Sequence, residues 1–308
     1  MKSKKKKILI VGGTGFIGYH LIKSLKRINK YDISSISTKN PRKLRKNNNV
    51  KYLICDISKR KKLEKILKNK KFNFVINLGG YVDHGNSKKT FESHYNGCQN
   101  LVEILLNQKI NKFIQIGSSV EYGGYKSPQK EKYKISPKSL KSVYGRAKLG
   151  ATNLLLNYYK THNFPAVILR LYITYGPKQD INRFIPIIIN ACIKKKEFSC
   201  SEGTQLRDFI FIDDLTKIII KCLNTKKIEG QIFNVGTGKP KKIKDIISFI
   251  KKKTNGGTPK FGEIKFRKDE ILKLYPNVSK LKKYLNWKPK ISFREGLTKT
   301  INYYSTIN

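Results

Sequence analysis

The sequence is poor in acidic residues: 20 Asp+Glu stand against 66 Lys+Arg in 308 residues, a formal net charge of +46. Such a surplus can mark a nucleic-acid or anionic-surface partner. Here the lysines are spread over nearly every expected helix and loop and form no single stripe with interleaved aromatics. They read as solvated positions filled with lysine in a Lys-, Asn- and Ile-rich chain, so no nucleic-acid partner is expected. The field would still attract anionic substrates.

Cysteine is also sparse. Cys55, Cys98, Cys192, Cys200 and Cys222 form an odd, scattered set without a C-x-x-C spacing, which fits neither a disulfide framework nor a zinc site. No metal is expected. Long apolar runs are missing too; none approaches the ~18 residues of a membrane helix. The start, Met1 to Val11, is basic and then apolar, but the apolar part is too short for a signal peptide and no cleavage site follows. A reducing cytoplasm and no membrane contact are the expectation. Short apolar runs recur from end to end, as in a globular chain with a large core.

The most informative stretch is Ile8-Leu9-Ile10-Val11-Gly12-Gly13-Thr14-Gly15-Phe16-Ile17-Gly18. Four apolar β-formers run into a glycine cluster, and a helical apolar pattern (Phe16, Ile17, Leu21, Ile22, Leu25) follows at once. Glycines let the turn close, let backbone N–H groups approach a pyrophosphate, and let the helix lie close on the strand. Gly13, Gly15 and Gly18 satisfy G-x-G-x-x-G, while Gly12, Gly15 and Gly18 satisfy the G-x-x-G-x-x-G variant. With Phe16 and Ile17 they form a candidate dinucleotide site.

Further strand-like runs alternate with helical stretches, which predicts a parallel sheet covered on both faces, an α/β fold. A weak strand, Ile33 to Ser37, ends in Ser37-Thr38-Lys39, with Arg42 shortly after. A carboxylate at that end would bind ribose hydroxyls, whereas hydroxyls and cations suit a 2′-phosphate, so NADP is favoured over NAD. Val50 to Cys55 reads as a third strand, leading to Asp56 and Ile57 beside an adenine ring. Phe74 to Leu78 reads as a fourth, followed by Gly79 and Gly80, where a cofactor could approach closely. A long helix is expected from about Phe91 to Leu106, then a fifth strand, Phe113 to Gly117.

Ser118 and Ser119 lie at the carboxyl end of that central strand, where open α/β sheets bind ligands. Farther on, Ser142-Val143-Tyr144-Gly145-Arg146-Ala147-Lys148 opens a helix, and Tyr144 and Lys148, at i and i+4, share one face. A tyrosine titrates near ~10, too high for a base at neutral pH. A lysine ammonium and a nicotinamide cation would both favour the phenolate, and a serine hydroxyl could bind the reacting oxygen.

In this order, the glycine turn, the strand-end serines and Tyr144/Lys148 resemble the NAD-dependent epimerase/dehydratase family, extended short-chain dehydrogenases/reductases acting on nucleotide sugars. Leu169 to Pro177, Leu206-Arg207-Asp208-Phe209 through Asp214, Ile232 to Gly236 and Trp287-Lys288-Pro289 extend the resemblance over essentially the whole chain. It implies a Rossmann-type doubly wound parallel sheet over residues 1–171, rejoined by about 207–240. A smaller C-terminal substrate-binding lobe would come from 172–206 and 241–308. It also implies a catalytic set of Ser118, Tyr144 and Lys148, a nucleotide-diphosphate sugar substrate, and hydride transfer at sugar C4 with NAD or NADP. Ser119, Arg207 and Arg267 would help hold the substrate; a guanidinium fork suits a diphosphate. An alternative for Arg207 is an ion pair with Asp208 or Asp213, and Trp287 is expected to pack in the core. A homodimer is implied by the resemblance alone.

Three departures bear on the chemistry. Family members that dehydrate carry an Asp-Glu pair after the catalytic hydroxyl, where this chain has Ser119 and Val120. Glu121 comes one place late and, on a strand-like backbone, would face the other side. His94 stands for the family's asparagine ahead of Gly97, read here as a structural histidine, and Ile173 stands for another asparagine. The reading left open is between a 4-epimerase and a reductase of a 4-keto-6-deoxy sugar nucleotide. Behind these stand a 4,6-dehydratase and a non-catalytic cofactor-sensing or RNA-binding module.

Overall fold

The computed structural model describes residues 4–81, 83, 85–267 and 270–307. Its first part alternates strand and helix: β1 (Lys6–Val11), α1 (Phe16–Ile28), β2 (Tyr31–Ser37), β3 (Lys51–Ile54), α2 (Arg60–Leu67), β4 (Phe74–Asn77), α3 (Ser87–Phe91), α4 (Gly97–Leu105), β5 (Lys112–Ser118), α5 (Val143–His162) and β6 (Ala166–Leu171). Shorter pieces follow: β7 (Ile173–Tyr175), α6 (Phe184–Ile193), β8 (Glu197–Cys200), β9 (Leu206–Arg207), β10 (Phe209–Phe211), α7 (Ile212–Asn224), β11 (Gln231–Val235), β12 (Lys241–Lys242), α8 (Ile243–Thr254), β13 (Thr258–Phe261), β14 (Lys273–Leu274), α9 (Ser279–Leu285) and α10 (Phe293–Ser305).

Seven strands make one parallel sheet in the order β11-β6-β5-β4-β1-β2-β3. Strand β1 shows why. Its residues Ile8, Leu9 and Ile10 are fully buried, and they alternate between two faces. Ile8 and Ile10 pack in one apolar cluster with Leu21, Ile22 and Leu25 of α1; Leu9 and Val11 pack in another with Leu63 of α2 and Leu101 of α4. Burial on both sides is what a parallel sheet requires. The strand order reverses between β1 and β4, so a crevice opens beyond their carboxyl ends, where ligands of such sheets bind. Gly12 follows β1 there, and Leu78 to Gly80 follow β4.

Small sheets lie outside this frame: β10 with β7, β12 and β14 flanking β9, and β13 with β8. All five cysteines are buried and unpaired, and Trp287 is buried in the larger core cluster. The helix expected over 91–106 is broken: Glu92–Asn96 form a π-helical turn between α3 and α4. Such a turn inserts a residue and re-aims side chains, commonly near functional sites. Among the described residues no helix is long and apolar enough to cross a membrane.

Candidate active site

The glycines after β1 have separate reasons. Gly12 has φ +80°, and a Cβ there would stand 3.1 Å from the Leu78 carbonyl. A Cβ on Gly18 would lie 2.4 Å from the Gly12 carbonyl oxygen, and one on Gly13 would lie 2.3 Å from Ser35 Oγ. Turn, helix contact and strand contact thus account for three. Gly15 differs: its Cβ would meet only the Gly12 oxygen, at 3.3 Å, so its bareness leaves room outward. Gly15 is also the N-cap of α1, extended and without a side-chain cap. The first-turn N–H groups that a helix leaves unsatisfied, at Phe16, Ile17 and Gly18, are therefore offered to an anion. These residues fit a dinucleotide's diphosphate.

At the end of β2, Ser37 Oγ accepts from the Thr14 N–H at 3.4 Å, while Thr38 and Lys39 are exposed. Arg42 is engaged elsewhere. Its Nη1 lies 3.1 Å from Asp180 Oδ1, and Arg45 Nη2 reaches the same oxygen at 3.0 Å. Arg45 also donates twice to the Lys178 carbonyl, at 3.0 and 2.6 Å. Arg42, read as a cation for a 2′-phosphate, thus pairs in this structure with a carboxylate distant in sequence. Asp56 Oδ1 accepts from Ser58 N–H at 2.9 Å, and Ile57 is buried. Asn77 Oδ1 receives the Gly79 N–H at 3.0 Å. Gly80, at φ +153°, makes way for His94, whose Cε1 would be 1.8 Å from a Cβ there.

Ser118 closes β5, and Ser142 caps α5 by accepting from the Gly145 N–H at 3.0 Å, which sets Tyr144 in the first turn. The Ser118 and Tyr144 hydroxyls pair by a hydrogen bond, and the His94 ring meets the Tyr144 ring edge-on at 5.0 Å. His94 is itself buried, with Nε2 at 3.2 Å from the Tyr81 carbonyl, in keeping with a structural histidine. Lys148 is buried one turn below; its Nζ donates to the Ile116 carbonyl at 2.7 Å and lies 5.9 Å from the Tyr144 ring centre. Burial brings Lys148 down to about 8, against a smaller upward pull from Glu121. Burial also pushes Tyr144 up, opposed by the Ser118 hydrogen bond and the positive charge of Arg183, with Glu121 adding to the rise. In the protein alone burial prevails for Tyr144, and Arg183, at the start of α6, adds a positive charge that opposes the rise.

Residues after Ser118 are not strand-like. Ser119–Tyr122 form a 3₁₀ turn, which buries Ser119 and swings Glu121 back beneath the strand end. Glu121 Oε1 accepts the Ser118 N–H at 2.8 Å, and Oε2 accepts from Thr152 Oγ1 and Arg170 Nε, both at 2.8 Å. With both oxygens taken and no exposure, Glu121 is closed to a sugar. Arg207, in β9, donates to Glu270 Oε1 at 2.5 Å, so its ion pair is with neither Asp208 nor Asp213. Burial lowers it, against the Glu270 charge. Asp208 instead accepts from the Thr237 N–H and hydroxyl at 2.7 and 3.0 Å. Arg267 is exposed, and its carbonyl accepts the Glu270 N–H at 3.0 Å, which brings both arginines to one segment.

A parallel sheet with a diphosphate cradle at its switch point and a Ser-Tyr-Lys constellation beside it defines a nicotinamide-dependent oxidoreductase of the short-chain type. The NAD dependent epimerase/dehydratase family matches residues 8–236, and the chain belongs to that family. The UDP-glucuronate 4-epimerase of Thermodesulfobacterium geofontis is 30% identical, covering 96% of this chain and 95% of that protein. The dTDP-D-glucose 4,6-dehydratase of Bos taurus is 28% identical over 97% of this chain and 88% of its own length. The crystal structure of a Bacillus cereus UDP-glucuronic acid 4-epimerase with UDP-glucuronic acid and NAD superposes with TM-score 0.88 and 28% identity, over 98% of this chain and 100% of that one.

Proposed function

We propose that the protein is an NAD-dependent nucleotide-sugar 4-epimerase. The observation that carries this is the Ser118–Tyr144 hydrogen bond with Lys148 one turn below, in a site offering no carboxylate at positions 119 and 120. When bound, NAD would supply the acceptor and donor of the C4 hydride. The chain's own part is to hold the sugar and move one proton. Tyr144 accepts the proton of the 4-hydroxyl and returns it after the keto sugar has turned; Ser118 holds the reacting oxygen; Lys148 supports the cofactor ribose and keeps positive charge near the phenol. Because Tyr144 is raised when the site holds the protein alone, its ionisation depends on the added charge of the oxidised cofactor.

Gly12, Gly15, Phe16, Ile17 and Gly18 would hold the cofactor diphosphate, and Thr38, Lys39, Asp56, Ile57 and Leu78 to Gly80 its adenosine. NAD is preferred to NADP, in line with the NAD bound in the Bacillus cereus 4-epimerase, while Arg42, which would favour a 2′-phosphate, pairs with Asp180. Ser119, Arg207 and Arg267 would help hold the sugar nucleotide, and the substrate is a nucleotide-diphosphate hexose or hexuronate, in line with the relatives' substrates. The absent acids at 119 and 120 argue against 4,6-dehydration, which needs a proton donor for the leaving 6-hydroxyl.

The test is to release and identify the nicotinamide carried by fresh protein, then incubate UDP-glucuronate and UDP-glucose separately and resolve 4-epimers by chromatography. Retained NAD with interconversion of 4-epimers is expected. Stoichiometric oxidation of added NADPH by a 4-keto-6-deoxy sugar nucleotide would replace the epimerase by a reductase.

A further inference from the structure

We propose that Asn234 is a positioning residue: it fastens the turn behind Ser118 to the segment that pairs with Arg207, so that filling the diphosphate side steadies the reacting side. The inference rests on the roles proposed above for Ser118, Tyr144 and Arg207. It concerns a fully buried residue that belongs to neither group.

Asn234 stands near the end of β11, in register with Arg170 of β6, which is itself in register with Gly117 of β5. The 3₁₀ turn Ser119–Tyr122 is bonded to this row twice. Glu121 accepts from Arg170 Nε at 2.8 Å, and the Tyr122 hydroxyl donates to Asn234 Oδ1 at 2.7 Å. The other end of the same amide is also used: Nδ2 donates to the Gln129 carbonyl at 2.9 Å, with the Asn277 carbonyl at 3.4 Å. An amide has a donor end and an acceptor end, which lets one buried side chain join two segments. The Asn234 backbone N–H is taken as well, by Glu131 Oε1 at 2.8 Å.

Gln129 leads on to the diphosphate side. Its N–H donates to the Tyr275 carbonyl at 3.0 Å, and its carbonyl accepts the Asn277 N–H at 2.8 Å. Ser127 adds two bonds, donating from Oγ to the Lys273 carbonyl at 2.9 Å and accepting the Tyr275 N–H at 3.0 Å. Segment 270–277 also meets β9: Leu274 of β14 pairs with Arg207, and Glu270 holds the Arg207 guanidinium. It is thus stitched both to Arg207 and to the loop that runs from Ser118 to Tyr144. Asn234 is where that loop is tied to the turn behind Ser118.

Gln129, Asn234 and Tyr122 are all 0% exposed. Buried polar groups shut off from water have few other partners to turn to. A constraint placed on Arg207 and its neighbouring segment is therefore passed along the line of bonds to the reacting side.

The experiment follows backbone hydrogen exchange by mass spectrometry on the whole protein, with and without UDP, in the wild type, Asn234→Leu, Tyr122→Phe and Tyr175→Phe. Should Asn234→Leu fail to fold, Tyr122→Phe cuts the same joint by a single hydroxyl and keeps the ring that faces Arg170 at 4.5 Å. Tyr175→Phe removes a tyrosine hydroxyl bond elsewhere, to the Phe293 carbonyl, and so controls for a general loss of packing. In the wild type UDP should slow exchange about fivefold or more at both 270–277 and 118–123, the low end for coupled sites. In Asn234→Leu and Tyr122→Phe the slowing should persist at 270–277 and fall below about twofold at 118–123. In Tyr175→Phe both should persist. Slowing at 118–123 that survives in Tyr122→Phe, or that is missing from the wild type while 270–277 responds, overturns the proposal. Slowing at neither segment rejects the diphosphate site on Arg207, and the coupling falls with it.

Discussion

Where the cleft offers itself to the cofactor's diphosphate, the surface is backbone: Gly12 at φ +80°, Gly15 bare of contacts but one, and the uncapped first turn of α1. On the side proposed for the sugar nucleotide, the groups are side chains, Arg207 paired with Glu270 and Arg267 exposed nearby. A backbone site has few ways to relax where a neighbour dictates the missing Cβ, as the Gly12 oxygen does at 2.4 Å for Gly18 and Ser35 Oγ at 2.3 Å for Gly13. A side-chain site can re-pair. The first is suited to a cofactor that stays, the second to substrates that come and go.

The largest expected effect lies between the two halves. Tyr144→Phe should lower turnover at least ~10³-fold, about 4 kcal/mol in barrier, while cofactor binding changes little. Rapid-mixing and cofactor-release assays on the same preparation check both, and near-normal turnover would falsify the assignment.

In the backbone half, Gly18→Ala forces a methyl to 2.4 Å from the Gly12 carbonyl. A loss of about 2–3 kcal/mol in urea unfolding is expected, together with loss of retained cofactor. Glu270→Gln, in the side-chain half, should leave unfolding and cofactor retention within about 0.5 kcal/mol of wild type and act on substrate KM alone. Equal damage by both substitutions would break the contrast.

Lys148→Met goes the other way. Lys148 binds its proton less tightly when folded (about 8) than when unfolded (10.5). Stability from this group is therefore complete above the unfolded value and lost as pH falls through the window from about 10.5 to 8. At pH 7 the buried ammonium is a net cost, so replacing it with methionine should raise the unfolding free energy on the order of 2 kcal/mol while abolishing turnover. Thermal melts at pH 7 and pH 10 should differ, with the gain fading at pH 10.

The smallest effect is at the ribose end. Asp180→Asn frees Arg42, a pair that is 80% and 36% exposed. A few-fold gain in NADP affinity, under 1 kcal/mol, is expected by calorimetry.

Features with short sequence separation were legible beforehand. The β1–α1 turn and the Tyr144/Lys148 pair depend on spacings of three or four residues, which helix geometry converts directly into position. Ser118 could be set at a strand end because Phe113 to Gly117 reads as buried strand. The π-helical turn at Glu92–Asn96 could not, since a bulge leaves the apolar pattern nearly intact. Nor could Glu121's direction, because a strand and a 3₁₀ turn of four residues differ in ways composition does not mark.

By itself, then, the sequence determined the α/β class, the cradle and the identity of the hydroxyl and amine groups, all through local periodicity and turn chemistry. Tertiary structure alone decided which charges meet. Glu121 joins Arg170 across 49 positions, Arg42 joins Asp180 across 138, and Arg207 joins Glu270 across 63. Electrostatic partners are chosen by distance in space and by burial, and a chain with 66 cations presents too many candidates for sequence order to choose among them.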